Sequence, residues 1–510
     1  MTWSQQFRDA NKRFRQEPIF VIESFSLWPS GTGPEGPSVV RLSSAPIFGI
    51  DTHTIIARDG IASSGGEVTP PAFGSAFGSF SVLLARDIRP VRNRLNRGSG
   101  IRLLVGYRSF AFEEYQTVSI GVLYSLDFNG VMWLLQVRDI TSALQSRWTN
   151  TGTQASLFHN LPVTTALSAP YATVDTGVTV DSTAGFERTT DGGDGVIKIS
   201  PSGGSDPFYL KWTSASAFVF SVTASNQFDT TRAAGSIGDT VTSVAWFGNG
   251  NVSGQLRKLW TSTGVYLGNG VDDILPSSWG YGLPRNLLDL NDAEAFVRIA
   301  NPTSGNNRWH VLEEGEQSDG LGWFLGWCAP GGWFLSMRQG QLTVRCANNP
   351  HQTELSSAIH ITNADLISID EYQSWAADYP VQTRKLSVVS GDGTTLNGTG
   401  TVIAHPLQHK VTKTLPVHTN ESNMRTIVAK RLLAWNVRIA ERLVITGALH
   451  LARLAAGDSC LLTTDMVGGR DRADKAGYSD TPVYVASVSP NWLAGTVRLA
   501  LYILPKNRTL

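Results

Sequence analysis

The sequence is poor in charge and in cysteine, and it contains no long apolar run. Charged residues make up 16% of its 510 positions, against about 25% in ordinary globular chains. Scarce Glu and Lys remove the residues that favour exposed helices, while 50 glycines supply turns, so the balance favours β-structure. A surface with so little charge also suits burial by neighbours, which points toward a large assembly. The three cysteines, Cys328, Cys346 and Cys460, stand too far apart for a metal or redox spacing. An odd, sparse set fits reduced thiols in a protein made in the cytoplasm. No stretch approaches the roughly 18 apolar residues of a membrane span. The polar start MTWSQQFRDANKRFRQ lacks the apolar core of a secretion signal.

What the chain does have is length and internal polarity. At 510 residues it exceeds what one hydrophobic core serves, so three or four domains are expected. The formal net charge of zero divides into +3 over residues 1–150, −11 over 151–380 and +8 over 381–510. Complementary ends and middle would orient copies or neighbours on docking; separately solvated domain faces would give the same counts.

Alternation of apolar residues with turn residues predicts a mainly β, multidomain chain with a few short helices. An N-terminal arm, 1–17, precedes a β-domain at 18–148. There PIFVIESFSLW reads as a strand apolar on both faces, and the stretch from Thr54 to Phe80 as a long hairpin or exposed loop. IRLLVGYRSF, TVSIGVLYSLDFNG and VMWLLQVRDI read as three consecutive strands reversing over Asp127 to Gly130, with a helix starting after Asp139. A small inserted β-domain is expected at 149–250, because Val, Ile and Thr runs there alternate with Gly, Asp and Ser turns. Residues 251–380 predict an α+β segment, with a short helix over GLGWFLGWCAP and two strands across the turn Arg338 to Gly340. The last segment, 381–510, predicts a helix capped by Ser422 with Met424, Ile427, Val428, Leu432 and Trp435 on one face. A strand, a turn at Gly457 and Asp458, and a terminal hairpin with Leu499, Leu501 and Ile503 inward follow it.

Candidate chemistry is thin. His405 and His409 have the four-residue spacing of a helical metal pair, but Pro406 lies between them and carboxylates are lacking nearby. Glu313, Glu314 and Glu316 would suit paired-carboxylate chemistry or a solvated turn. Ser182 and Ser253 lie near glycines without the G-x-S-x-G turn. The glycines of 248–254 lack a following Lys-Ser or Lys-Thr. No catalytic residue, cofactor site or metal site is therefore expected. Two binding signals remain. Arg86, Arg89, Arg92, Arg94, Arg97, Arg102 and Arg108 form a basic run opposed only by Asp87, which suits carboxylates of a neighbouring protein, phosphates of passing DNA, or plain solvation. Trp323, Phe324, Trp327, Trp333 and Phe334 suit either core packing or stacked sugars, so Trp323, Trp327 and Trp333 are the glycan candidates.

Several segments carry a family resemblance. Val180, Asp181, Ser182, Gly185 and Phe186, followed by Gly238, Asp239 and Val241, resemble a module of tail-tip and fibre proteins of tailed bacteriophages, with Phe208 to Thr213 standing where the module has Glu-x-Ile-x-Tyr. Gly121, Val137, Arg138 and Asp139 look like the first barrel of phage tail hub proteins. Ile361 to Leu366 resembles the segment after their helix and hairpin, and Met424 to Leu504 resembles their second barrel. The resemblance to a baseplate hub or tail-tip hub implies a homotrimer in which each subunit gives two related β-barrels, about 18–148 and 381–510, so that a three-fold tip joins a six-fold tail tube. It implies as partners a distal tail or tail tube protein, a tape measure protein, and tail fibre or receptor-binding proteins, with transient passage of DNA and contact with the host envelope. It also implies a place in the virion after synthesis in the host bacterial cytoplasm. The rival readings are a carbohydrate-binding tip protein and a tail-associated cell-wall hydrolase relying on Glu313 or Glu314.

Overall fold

The computed structural model describes residues 4–11, 17–25, 39–63, 78–85, 87–145, 163–186, 195–223, 231–250, 309–313, 332–346, 358–373, 383–389, 395–399, 409–414, 418–419, 441–467 and 477–503, and a few single positions between them. The expected Ser422 helix lies outside these residues, apart from Trp435.

Ser4 caps the opening helix α1, Gln5–Ala10, by accepting from the Phe7 amide. Eight strands follow: β1 Pro18–Phe25, β2 Val40–Ser43, β3 His53–Thr54, β4 Ile56–Ser63, β5 Phe80–Leu84, β6 Gly100–Tyr107, β7 Gln116–Phe128 and β8 Trp133–Asp139, with the short helix α2, Arg89–Arg92, between β5 and β6. They bond in the order β3-β2-β1-β6-β7-β8-β5-β4. The two ends of that order are consecutive in sequence. Ile55 joins them, donating to the Ser43 carbonyl at the end of β2 and accepting from the Ala85 amide just beyond β5. One bent strand thus serves both edges, and the sheet closes nearly completely into a barrel. With β3 and β4 counted as one, the ring has an odd number of strands, so direction cannot alternate all the way round; the parallel pair is β2 with β3.

The inserted module is an antiparallel sheet of β10 Gly177–Thr179, β13 Val219–Val222, β12 Phe208–Ala215, β11 Gly195–Ser200 and β14 Thr240–Gly250, in that order, with β9 Thr164–Ala166 added on β14. Leu167, Ile197, Leu210, Phe220 and Val241 fill its core. Gly185 and Gly238 adopt positive φ of 83° and 90°, which explains glycine at those two turns. β14 runs on to pair with β15, Trp309–Glu313, so this sheet passes the boundary expected at 250.

Beyond it, β16 Trp333–Arg338 and β17 Gln341–Cys346 form the expected hairpin, turning through Gln339 and Gly340 at positive φ. β18 His360–Ile361 and β19 Leu366–Gln373 come next, then β20 Thr383–Val389, β21 Thr395–Thr399 and β22 His409–Thr414, which form a sheet of their own. β23, His418–Thr419, pairs with β15. The chain ends with β24 Glu441–Ala448, β25 Ser459–Thr464, β26 Tyr478–Asn491 and β27 Thr496–Ile503. These four make a sheet with the two short upstream strands, in the order β18-β25-β26-β27-β24-β19. The expected start of this domain at 381 is therefore corrected: 360–373 belongs to it, and 383–419 does not. A barrel needs its closing strand, and here that strand comes from before an insertion.

The two end sheets share one design. In the first, β4-β5-β8-β7-β6 are antiparallel neighbours; in the second, β19-β24-β27-β26-β25 are. Numbered from the closing strand, both run 1-2-5-4-3. Both closing strands split, with one half pairing parallel to the far edge, β18 with β25 in the second case. Asp365 accepts from the Ala448 amide as Ile55 does from Ala85. Both fourth strands bulge one residue after a matched pair, Leu123↔Val137 and Val485↔Leu501. Gly98 and Gly457, at φ 89° and 95°, donate to the carbonyls of Leu123 and Val485, whose amides donate back to Ser99 and Asp458. The first barrel differs by splicing β1 and β2 between its third and closing strands.

The barrel interiors form one continuous core, from Val21, Leu103 and Val137 to Leu443, Leu499 and Leu501. Phe7 of the arm wedges between the barrels, its ring 5.8 Å from Tyr107 and 6.2 Å from Trp492. Leu499, Leu501 and Ile503 face inward as their alternation requires, and Tyr502 faces outward yet is fully buried.

Candidate docking face

The arginine run does not act as a unit. Arg102 on β6 sits opposite Glu23 on β1, whose other neighbour is Arg41 on β2. Glu23 is 1% exposed and accepts from Arg41 Nε and Arg102 Nε, each at 2.8 Å. Asp87 is thus not the only acid opposing the run: Arg102 is spent on a buried ion triad that holds three strands together. Arg89 grips Asp87 with two hydrogen bonds of 2.9 and 2.6 Å, which hold that carboxyl down at about 2. Arg108 lies exposed in the turn between β6 and β7, at the other end of the strand from Arg97. Arg86 lies outside the described residues.

Arg92, Arg94 and Arg97 remain, all exposed on and after α2. Arg92 lies over the Trp133 ring at 5.1 Å, and Arg97 over Tyr124 at 5.2 Å. The fold adds Arg138, from β8, over the same Tyr124 ring at 3.4 Å. An aromatic shelf holds a guanidinium flat and leaves its in-plane N–H groups directed outward. No carboxylate pairs with these four arginines among the described residues. Arg97 and Arg138, sharing the Tyr124 shelf, therefore make a surface preorganised for flat anionic groups, carboxylate or phosphate. Tyr124 and Arg138 could not be grouped with Arg97 from sequence; only the β7–β8 pairing and the Leu123 bulge bring them together.

The matching face of the second barrel is covered. Tyr484, Ala486, Ala500 and Tyr502 point outward from β26 and β27 and are all buried. Tyr484 meets the Trp435 ring edge-on at 4.9 Å. The β16–β17 hairpin lies over the adjoining turn: Ser336 Oγ donates to the Ala456 carbonyl at 3.1 Å, and the fully buried Arg345 reaches Asp458 at 2.6 Å. A Cβ on Gly457 would come within 2.7 Å of Phe334, so glycine is what admits the hairpin.

The other candidates find ordinary places. Trp333 and Phe334 are buried in that hairpin and Phe324 is buried too, so Trp333 packs in a core and offers no ring to a sugar; Trp323 and Trp327 lie outside the described residues. His409 begins β22 and Glu313 ends β15, while His405, Glu314, Glu316 and Ser253 lie outside. Ser182 Oγ accepts from the Ala184 amide at 3.1 Å within its turn. Among the described residues no group of three His, Cys, Asp or Glu is placed to hold a metal.

No family model matches the sequence, and no curated protein does. Solved structures are similar over most of the chain at low identity. A tail protein from Neisseria meningitidis MC58 covers 96% of this chain and 97% of its own at 9% identity and TM-score 0.39. The 43 kDa tail protein of prophage MuSo2 from Shewanella oneidensis covers 95% and 98%, with 9% identity and the same TM-score. A chain of the Francisella PdpA–VgrG complex covers 99% and 62% at 8% identity and TM-score 0.33. Overlays this loose transfer no residue roles.

Proposed function

We propose that this chain is the structural hub of a phage tail tip or baseplate: a trimeric ring, without catalysis of its own, that adapts a six-fold tail tube to a three-fold tip. The observation that carries the reading is the paired design of the end barrels, with the same strand order, the same split closing strand and the same glycine-to-bulge bonding. Three copies of such a chain present six like units, so one surface of the ring matches a six-fold partner while the chains keep three-fold symmetry. The phage-tail character rests on the sequence resemblances of the inserted module and of both barrels. In this role the ring binds the tail tube, anchors tip proteins or fibres through the segments between the barrels, contains the end of the tape measure protein and opens for DNA. The mass of the purified full chain in solution tests the proposal. A species of three times 55.2 kDa, seen as a ring with six similar lobes in electron micrographs, is the expected result. A particle of 55.2 kDa at all concentrations, or peptidoglycan cleavage lost on Glu313→Gln, would overturn it.

A further inference from the structure

The covered face of the second barrel shows what its counterpart on the first lacks. Matching the two hairpins through Leu123↔Val137 and Val485↔Leu501 places Tyr124 where Ala486 stands, Gln136 where Ala500 stands and Arg138 where Tyr502 stands. Gly98 matches Gly457, so Arg97 takes the place of Ala456. On the second barrel these positions are buried beneath cover from the same chain, which delivers a cation, Arg345, to Asp458. On the first barrel they are open, and the charge is reversed: Ser99 replaces the acid, and the positions around it carry the unpaired Arg97 and Arg138 on the Tyr124 ring. A cover for this face must therefore bring carboxylates.

We infer that the Arg97, Tyr124 and Arg138 face of the first barrel is a docking surface for the acidic middle region, 151–359, of a second copy of this chain. Charge complementarity selects that occupant. The region carries a net charge of −7, from 11 basic and 18 acidic residues, against +3 for the segment that holds the face, and Asp181 and Asp206 stand exposed on its module. The inference rests on the self-association proposed above and adds which surface makes it.

The experiment compares the full-length chain with the double variant Arg97→Glu and Arg138→Glu by light-scattering mass and thermal melting, at low and high salt, with duplex and single-stranded DNA as a second probe. Both arginines are exposed, so the variant keeps the fold and melts with the parent at high salt and low concentration, where association no longer adds to the parent's stability. The expected result is parent self-association that weakens with salt and is reduced about 100-fold or more in the variant. A variant that assembles like the parent overturns the inference and leaves the trimer reading standing. A parent that is monomeric under all conditions overturns both. If the parent binds DNA and the variant loses that binding while assembling normally, the face serves nucleic acid, and the inference is likewise overturned.

Discussion

The two barrels reach one topology with almost no shared side chains, and the difference between them lies in what stands outside the common five strands. The first inserts β1 and β2 before closing and spans Ala85 to Gly98 with α2; the second closes directly, through a parallel ladder of two residue pairs, and makes the matching connection, Ala448 to Gly457, shorter, with the 3₁₀ turn Leu449–Arg453. The first leaves its outer face wet and basic, while the second seals its own beneath the β16–β17 hairpin. Backbone devices are kept: a positive-φ glycine, a bulge and a split strand. Side chains are free to diverge because closure depends on main-chain hydrogen bonds and on inward alternation alone.

The comparison breaks most sharply in the interior. Leu501 and Val137 are matched, inward and fully buried or nearly so, so Leu501→Asp or Val137→Asp buries a carboxylate without a partner and costs about 4–5 kcal/mol or more. Because the two interiors form one core, either substitution is expected to lower a single cooperative transition in calorimetry. Loss of one barrel with the other melting normally would show them to be independent units. Next in size is the cover. Arg345→Met strands Asp458 and is expected to cost about 3 kcal/mol, toward the low end for a broken buried pair because Asp458 keeps some access to water. Arg138→Met, on the matched open face, is expected to change stability by less than about 0.5 kcal/mol, and equal losses in urea titrations would contradict the assignment of one covered and one open face.

The end barrels were the most legible part of the sequence. Alternation marks β6, β7, β8, β26 and β27 because each has a dry face and a second face of different character; the turn at Asn129-Gly130 parts β7 from β8, and that at 492–495 parts β26 from β27. The closing strands were not legible. β3 and β18 are two residues each, too short to show a period, and β19 lies beyond an insertion from the strand it pairs with. The helix expected after Asp139 proves to be a 3₁₀ turn, Ile140–Gln145, which Asp139 starts by accepting from the Thr141 amide. The arginine run was half legible: its density was visible, but the removal of Arg102 by Glu23 and the arrival of Arg138 depend on strand pairing at long range.

The matched glycines give a smaller and more specific contrast. Both have positive φ, which costs an alanine about 1 kcal/mol. Gly98 faces open space, whereas a Cβ at Gly457 meets Phe334 and Arg345 at 2.7 and 2.9 Å. Gly98→Ala is therefore expected to lose about 1 kcal/mol and Gly457→Ala about 2–3 kcal/mol, read from denaturant midpoints at constant slope. Equal losses would mean that the hairpin does not press on that turn.

The smallest effect concerns the contrast between an enclosed and an exposed Arg–Asp pair. Arg345–Asp458 is enclosed, while Arg89–Asp87 stands in solvent with 89% and 56% of its side chains exposed. The Arg89 hydrogen bonds nonetheless hold Asp87 at about 2, below its usual 3.8. A carboxyl depressed in the folded state contributes stability above its unfolded value, and loses that contribution as pH falls through the folded one. The Arg89–Asp87 pair is thus complete above about pH 4 and dissolves as the pH approaches 2. Arg89→Ala should return the Asp87 carbon resonance to an ordinary titration near 3.8 with little change in melting temperature, since an exposed pair is screened by water and salt. A large fall in melting temperature would place this pair inside an interface, and the open face of the first barrel would then be smaller than its exposed arginines indicate.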